Sequence, residues 1–159
     1  MGGPRVIEGS YVDSGGRFAI VAARFNDAIV KELVDGCVDG LRRHGVDPAE
    51  RIDLVWVPGC FEIGPVCQRL AASGKYAAVV ALGAVIRGAT THYDLVSGSV
   101  ASAVAQVGAS TGVPTIFGVL TTESIEQAWE RAGTKAGNNG WKAALAALEM
   151  ASLTHELER

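Results

Sequence analysis

Short apolar runs alternate along the chain with longer segments in which apolar residues recur every three or four positions, and this alternation restricts the fold more than any other feature. The apolar runs lie at residues 17–23, 52–57, 77–85 and 115–120. Each run is almost unbroken, as expected for parallel strands that are buried on both faces. The segments between the runs have the spacing of amphipathic helices. The pattern therefore predicts a three-layer α/β/α sandwich with a four-stranded parallel sheet.

Helices are expected between these strands and towards the end of the sequence. Their predicted bounds are residues 27–44, 63–71, 93–109, 124–132 and 141–157. Residues 133–140 are expected to form an uninterrupted turn. Because 159 residues suit one domain, we expect a single domain over residues 1–159, in which residues 1–16 form an N-terminal arm.

Composition excludes several classes of protein. The net charge of −3 does not fit a nonspecific nucleic-acid-binding protein, which needs a basic surface. No apolar run is long enough to cross a membrane, and the first residues lack the apolar stretch of a signal peptide. The cysteines are Cys37, Cys60 and Cys67, an odd number without a CxxC pair. They predict reduced thiols in a cytoplasmic protein, with neither a disulfide framework nor a zinc site.

The segments that follow the predicted strands are the first candidates for a binding site. Ligands of parallel α/β sheets bind beyond the carboxyl ends of the strands. In this chain the rule selects residues 24–27, 59–62, 86–92 and 121–124. We therefore expect functional residues in these four segments.

The segment after the third strand contains the clearest candidates. Residues 88–91 (GATT) lead into a helix, so their N–H groups and hydroxyls can either bind an anion or simply cap that helix. His92 follows, and a histidine there can transfer protons near neutral pH with Asp94 to orient it. The alternative is a surface histidine at a helix start. His44 and His155 are assigned to solvated faces.

Other residues near the strand ends and turns have both a functional and a structural interpretation. Phe25 can stack on a flat ring or pack as a hydrophobic staple against the next helix. Glu62 can accept hydrogen bonds from a polyol or complement the helix dipole. Arg131 and Lys135 suit a phosphate, and they equally suit a helix C-terminus. Cys60 has no basic neighbour that would lower its pKa, so we interpret it as a packing residue.

Three long strings in the second half of the chain resemble lumazine synthase. They are ALGAVIRGATTHYD at 81–94, FGVLTTE at 117–123 and RAGTKAGN at 131–138. The motifs RFN at 24–26 and VPG at 57–59 extend the likeness, which runs from about residue 17 to residue 153. Several long ordered motifs together are a specific signal, whereas any one of them alone is not.

The resemblance implies an enzyme of riboflavin biosynthesis that makes 6,7-dimethyl-8-ribityllumazine. Its substrates would be 5-amino-6-(D-ribitylamino)uracil and 3,4-dihydroxy-2-butanone 4-phosphate. Amine addition to the ketone, loss of water, elimination of phosphate and closure of the second ring all move protons or expel an anion. Neither a cofactor nor a metal is implied.

The resemblance also implies roles for individual residues. The pyrimidine and its ribityl chain would contact Phe25, Asn26, Gly59, Cys60, Phe61, Glu62, Val85 and Ile86. The phosphate and the proton transfers would involve Gly88, Ala89, Thr90, His92 and Asp94. A neighbouring subunit would supply Phe117, Arg131 and Lys135, with Arg131 on the phosphate.

Two positions depart from the lumazine synthase pattern. Asn139 stands where the family commonly has lysine, which removes one cation near the site. Cys60 stands where alanine or serine is usual. Neither change removes a group that is implied to take part in the chemistry.

The resemblance further implies a ring of five subunits with active sites between them. Some relatives stop at a pentamer or decamer, whereas others pack twelve rings into a hollow icosahedral shell, and the turn at residues 133–140 resembles that of the shell-forming members. Riboflavin synthase is a further implied partner. Two segments are expected to form contacts between subunits. The apolar face of Val100, Ala103, Val104 and Val107 would line a symmetry axis, and residues 6–12 would add a strand to a neighbour's sheet.

Two alternatives come from other classes of protein. The predicted sandwich is flavodoxin-like, and receiver-type signalling domains share that sheet order, but they need an acidic cluster after the first strand and an aspartate after the third. This chain has RFND at 24–27 and Gly83-Ala84 at those places, so the receiver alternative fails. A noncatalytic lumazine- or flavin-binding protein needs the same pocket walls and stays open.

Overall fold

Strands and helices alternate through residues 2–159, the part of the chain that the computed structural model describes. Their bounds in chain order are β1 Arg17–Ala23, α1 Asp27–Arg43, α2 Pro48–Arg51, β2 Ile52–Val57, α3 Ile63–Ala72, β3 Tyr76–Ile86, α4 His92–Thr111, β4 Thr115–Thr122, α5 Ile125–Glu130, β5 Ala132–Thr134, β6 Gly137–Asn138 and α6 Asn139–Leu157. A 3₁₀ turn, Cys60–Glu62, precedes α3. No helix in this part of the chain is both long and apolar enough to cross a membrane.

The first four strands form one parallel sheet in the order β2-β1-β3-β4. At its carboxyl edge Ala23 of β1 pairs with Val57 of β2. At the same edge, Ile86 of β3 pairs with Thr122 of β4. The segments that follow these strands therefore meet at one edge, as the parallel arrangement requires.

Alternate residues of each strand enter two separate cores. Phe18 and Ile20 of β1 pack with residues of α1 and α6, whereas Ala19 and Val21 pack with residues of α3 and α4. All four side chains are fully buried. Burial on both faces explains the unbroken apolar runs and confirms the predicted three-layer sandwich.

The apolar face of α4 lies inside the subunit. Val100, Val104 and Val107 are 2%, 2% and 4% exposed and pack against the sheet and α3. Ala103 lies close to α3: a Cβ built on Gly64 of α3 would be 2.9 Å from the Cβ of Ala103. The prediction that this face lines a contact between subunits is wrong, because α4 uses it to cover the sheet of its own chain.

The segment between α5 and α6 is not an uninterrupted turn. α5 ends earlier than predicted, and β5 and β6 pair as a small antiparallel hairpin. Gly137 has a φ of 79°, which glycine adopts without strain. The side chain of Asn138 accepts hydrogen bonds from the N–H groups of Gly140 and Trp141. This cap makes α6 begin at Asn139, two residues before the predicted start.

The N-terminal arm is attached to the body of its own chain. The Ser10 N–H donates to Ser152 Oγ at 2.8 Å, and that hydroxyl donates to the Ser10 carbonyl at 2.9 Å. Both terminal nitrogens of Arg51 donate to the Asp13 carboxylate, at 2.5 and 2.6 Å. These bonds from Arg51 hold the pKa of Asp13 below its usual value. The addition of residues 6–12 to a neighbour's sheet stays a prediction.

His44 is half-buried, so its assignment to a solvated face is wrong. It follows the last residue of α1, and its Nδ1 lies 2.7 Å from the Gly40 carbonyl oxygen. The centroid of its ring is 6.3 Å from that of Tyr11 and 6.0 Å from that of Trp141. The arm therefore also contacts the body of the chain through Tyr11. His155 is exposed, as predicted.

Candidate functional site

A cleft of about 520 Å³ opens at the carboxyl ends of β1, β2 and β3. This volume is within the range of small-ligand sites. Its walls come from the strand ends, the 3₁₀ turn and the first turns of α4 and α5, and the lining residues are Phe25, Asn26, Pro58, Gly59, Cys60, Phe61, Glu62, Ala84, Val85, Ile86, His92, Tyr93, Val96 and Ile125. The fold thus brings together residues from the first three of the four strand-end segments.

The loop after β1 forms the first wall. The Arg24 N–H donates to the Val57 carbonyl at 2.8 Å, which fixes the loop to β2. Asn26 has a φ of 64°, a left-handed conformation that is uncommon outside glycine, and its Nδ2 donates to the Ala84 carbonyl at 2.9 Å. The side chain of Phe25 is 71% exposed. Its ring is therefore available to a ligand and does not act as a staple.

The 3₁₀ turn after β2 forms the second wall. Phe61 and Glu62 are exposed and line the cavity. Cys60 is buried against β3, where a Cβ built on Gly83 would lie 2.6 Å from the Cys60 sulfur. The sulfur thus fills the space that the glycine leaves.

The cysteine side chains are buried thiols. Cys37, Cys60 and Cys67 are all unpaired. Burial raises the pKa of Cys60 to about 11 and the pKa of both other thiols to about 12. An uncharged, buried thiol is a poor nucleophile, which agrees with the packing interpretation of Cys60. Among residues 2–159, no three His, Cys, Asp or Glu side chains are grouped so that they could hold a metal ion.

The end of β3 forms the third wall. Its ladder with β1 ends at Leu82, so Ile86 extends beyond β1. The Arg87 N–H donates to the Thr122 carbonyl of β4 at 2.9 Å. Main-chain polar groups of successive strand residues point to opposite sides, so those of Ile86 point away from β4 and towards the cavity.

His92 begins α4 at the edge of the cavity. Its side chain is exposed, and its N–H donates to Thr90 Oγ1 at 3.3 Å. Within the described part of the chain, Gly88, Ala89 and Thr90 lie exposed beside the cavity and do not line it. They precede a helix of 20 residues, whose N-terminal N–H groups favour an anion.

Asp94 is paired with Arg87, which lies in the selected segment 86–92 but received no role of its own from the sequence. Arg87 Nη2 lies 3.3 Å from Asp94 Oδ1, and Arg87 Nε lies 2.7 Å from Glu123 Oε2. The guanidinium carbon lies 4.3 Å from the centroid of the Tyr93 ring. The assistance of His92 by Asp94 stays a prediction, because this carboxylate pairs with Arg87.

The residues predicted to serve a neighbouring subunit's site lie away from this chain's cavity. Phe117 is 41% exposed in β4. Arg131 follows α5, and its Nη1 donates to the Gln127 carbonyl at 2.9 Å. Lys135 is exposed between β5 and β6. Within residues 2–159 none of the three lines the cavity, and their contribution to another copy's site stays a prediction.

Sequence reasoning missed some of the lining residues, although signals for them were present. Val96 lies four positions after His92, so helical spacing places the two on one side of α4. Tyr93 is three positions before Val96 and lies on the same side. Ile125 directly follows the fourth strand-end segment. The N-cap of α5 at Ser124, whose Oγ accepts from the Gln127 N–H, fixes where this residue enters the cavity.

The family model described as 6,7-dimethyl-8-ribityllumazine synthase matches residues 15–155. The chain belongs to the 6,7-dimethyl-8-ribityllumazine synthase family. The match includes every residue that lines the cavity and all four strands of the parallel sheet. As a member of this family the chain is a transferase that makes 6,7-dimethyl-8-ribityllumazine in riboflavin biosynthesis. The resemblance seen in the sequence motifs is thereby confirmed.

Proposed function

We propose that this enzyme condenses 5-amino-6-(D-ribitylamino)uracil with 3,4-dihydroxy-2-butanone 4-phosphate and needs no cofactor. The observation that supports the proposal most is the meeting of Phe25, the Ile86 main chain and His92 in one cavity. An exposed ring can stack on a heterocycle, strand-end N–H and C=O groups can bind its edge, and an imidazole can move protons.

The pyrimidine ring stacks on Phe25 in this proposal. Ile86 hydrogen-bonds the ring edge through its main-chain groups, since the end of β3 extends beyond β1, and Val85 lines the cavity beside it. The ribityl chain extends along residues 59–62. There the Glu62 carboxylate accepts hydrogen bonds from the hydroxyls, and the backbone supplies further partners.

His92 acts as the general acid and base. The pyrimidine amine adds to the butanone carbonyl, and loss of water gives an imine that joins the two substrates. Elimination then expels phosphate and leaves an enol that becomes a ketone. The ribityl-bearing nitrogen attacks this carbonyl and closes the second ring with loss of a second water. Each step needs a proton taken up or delivered, which an imidazole exposed at the cavity edge can do near neutral pH.

The phosphate is bound by residues 88–90 together with the N-terminus of α4. These backbone groups lie beside His92 and favour negative charge. A neighbouring copy brings Arg131 and Lys135 to complete this subsite, because both lie away from the cavity of their own chain. Phe117 of the same copy covers the pyrimidine side.

We infer that the subunits form pentameric rings with one site at each boundary. Leu95 of α4 and Phe117 of β4 are 69% and 41% exposed in the single chain, and exposed apolar side chains are enriched where proteins associate. A cytoplasmic location, and riboflavin synthase as a partner that consumes the product, complete the proposal.

The test is to mix the enzyme with the two substrates and to monitor product formation through the absorbance of the lumazine. Enzyme dialysed against EDTA should be as active as untreated enzyme, and omission of either substrate should abolish the signal. Binding of the product without turnover would overturn the proposal in favour of a noncatalytic binding protein.

A further inference from the structure

We propose that Arg87 is a positioning residue that holds His92 in place for proton transfer; this inference rests on the proposed role of His92. Arg87 is the first residue of the loop between β3 and α4, and its side chain contacts residues beyond the other end of that loop. Its guanidinium reaches Tyr93 and Asp94, the two residues that directly follow His92. The side chain thus closes the loop at the point where His92 emerges.

The loop has few other restraints. Within residues 2–159, side-chain hydrogen bonds to residues 88–91 are limited to the one between the His92 N–H and Thr90 Oγ1, at 3.3 Å. A Cβ built on Gly88 would meet no atom within 4 Å. The contacts of Arg87 with the first turn of α4 are therefore the main side-chain restraint on the direction in which His92 leaves the loop.

Arg87 is itself anchored on β4. Its N–H donates to the Thr122 carbonyl at 2.9 Å, and its Nε lies 2.7 Å from the Glu123 carboxylate. The Glu123 N–H in turn donates to Gln127 Oε1 at 2.8 Å, which ties this residue to α5. One planar guanidinium thus joins the end of β4 to the first turn of α4, and a lysine ammonium cannot span the same partners.

The side chain also balances charge beside the site. Asp94 and Glu123 both pair with the guanidinium, and loss of Arg87 leaves two carboxylates without this counter-charge. Tyr93, whose ring lies under the guanidinium, lines the cavity, whereas Arg87 does not. Arg87 therefore acts through its neighbours and makes no contact with substrate.

The experiment compares steady-state kinetics of Arg87→Gln, Arg87→Lys, Glu123→Gln and the double variant Arg87→Gln/Glu123→Gln. Arg42→Gln is the matched control, because Arg42 pairs with Asp39 at 2.6 Å on α1, far from the cavity. Arg87→Gln should lower kcat roughly tenfold, since a misplaced catalytic group loses rate more than binding. The KM for each substrate should stay within about threefold, and thermal unfolding should match the Arg42→Gln control.

Two further results separate positioning from simple stabilisation. Arg87→Lys should recover little of the lost kcat, and Glu123→Gln should lower kcat without adding to the loss in the double variant. Full recovery in Arg87→Lys, or kcat losses that are independent at the two positions, would overturn the proposal even if Arg87→Gln folds poorly.

His92→Ala, assayed in parallel, distinguishes the two levels of inference. Absence of product with the unaltered enzyme would refute the proposed function itself. An active enzyme that is slowed by His92→Ala but not by Arg87→Gln would refute the role of Arg87 alone, whereas unchanged kcat in His92→Ala would refute both roles but not the activity.

Discussion

Asn26 holds a left-handed backbone conformation at the start of α1 and donates its amide to the Ala84 carbonyl. One side chain thus joins the loop that carries Phe25 to the strand that leads to His92. Unusual backbone conformations of this kind are maintained only where the surroundings determine them, and they concentrate at binding sites. At the scale of single residues, the cavity is shaped by such polar contacts as much as by apolar packing.

His92→Ala should lower kcat roughly tenfold or more, the usual effect of losing a general acid or base. Affinity for a product analogue should change little, because the side chain is proposed to move protons and not to hold the ligand. The measurement is kcat together with a binding titration, with His155→Ala as the control at an exposed position of α6. Unchanged kcat would remove His92 from the mechanism.

Cys60 should react with iodoacetamide very slowly in the folded protein at pH 7.5. Burial raises its pKa to about 11 and the pKa of Cys37 and Cys67 to about 12. Against a thiol pKa of about 8.5 in the unfolded chain, labelling of Cys60 should be roughly 300-fold slower than in urea. The rate should rise with pH, and Cys60 should be modified before the other two.

The same shifts set the sign of the pH dependence of stability. A raised thiol pKa favours the neutral form in the folded protein. The contribution of the thiols to stability is therefore complete below about pH 8.5 and is lost as the pH rises towards their pKa values in the folded protein.

Peptide mapping after timed labelling measures the rate at which each cysteine reacts with iodoacetamide. Rapid modification of Cys60 at pH 7.5 would show that its thiol is less protected than the structure indicates.

The contact between α1 and α6 depends on small residues. A Cβ on Gly40 would lie 2.9 Å from the Ala144 Cβ, and a Cβ on Gly140 would overlap the Leu33 carbonyl oxygen. The two helices therefore approach each other at backbone distance. At the scale of elements, this contact fixes one outer layer of the sandwich on the sheet.

Gly140→Ala should lower the free energy of unfolding by about 3 kcal/mol, because the added methyl meets backbone that cannot rotate away. Gly98→Ala is the control, since a Cβ at this position of α4 meets no atom within 4 Å. That change should raise the free energy of unfolding by up to about 1 kcal/mol through helix propensity. Urea denaturation at matched protein concentration measures the free energy of unfolding of both variants. Equal changes in the two variants would contradict the close backbone contact inferred at Gly140.

The strands were predictable because burial on both faces leaves unbroken apolar runs. The position of the cavity was predictable because parallel strands end at the same edge of the sheet. The hairpin at residues 132–138 was not, because a pair of very short strands has no periodicity to detect. The burial of Val100 in the core of its own subunit was also not predictable. An apolar helical face does not reveal whether it packs against its own sheet or against another subunit. The pairing of Asp94 with Arg87 depends on the path of the loop between β3 and α4, which the sequence does not reveal. Asp94 is only two residues from His92 in the sequence, and for that reason it was predicted to orient the histidine.

At the scale of the whole molecule, the single chain presents an incomplete set of the proposed site residues. Phe25 and His92 line its cavity, whereas Arg131 and Lys135 lie away from it. A site shared across a subunit boundary follows if both groups take part. Activity then depends on assembly, and each boundary needs an intact contribution from either side.

Arg131→Ala should raise the KM for the butanone phosphate much more than the KM for the pyrimidine, because a guanidinium binds phosphate oxygens in a fork. Coassembly of Arg131→Ala subunits with His92→Ala subunits should restore activity above the sum of the parents. Random mixing in a ring leaves about a quarter of the boundaries intact. Denatured subunits refolded together and assayed beside separately refolded parents provide the measurement. Absence of any gain in assembled mixtures would refute the shared site.

The contact between the Cys60 sulfur and Gly83 has a consequence for how the family pattern can vary. Gly83→Ala alone would force a methyl to within 2.6 Å of the sulfur, at a cost of about 1–3 kcal/mol. Cys60→Ala alone would leave only a small void, and it would clear the space into which a methyl at position 83 could then fit. The order of the two mutations therefore matters: a lineage that changes the cysteine first crosses no deep stability loss, whereas one that changes the glycine first does. A present-day side chain in the floor of the cavity thus limits which evolutionary paths are open to the strand behind it.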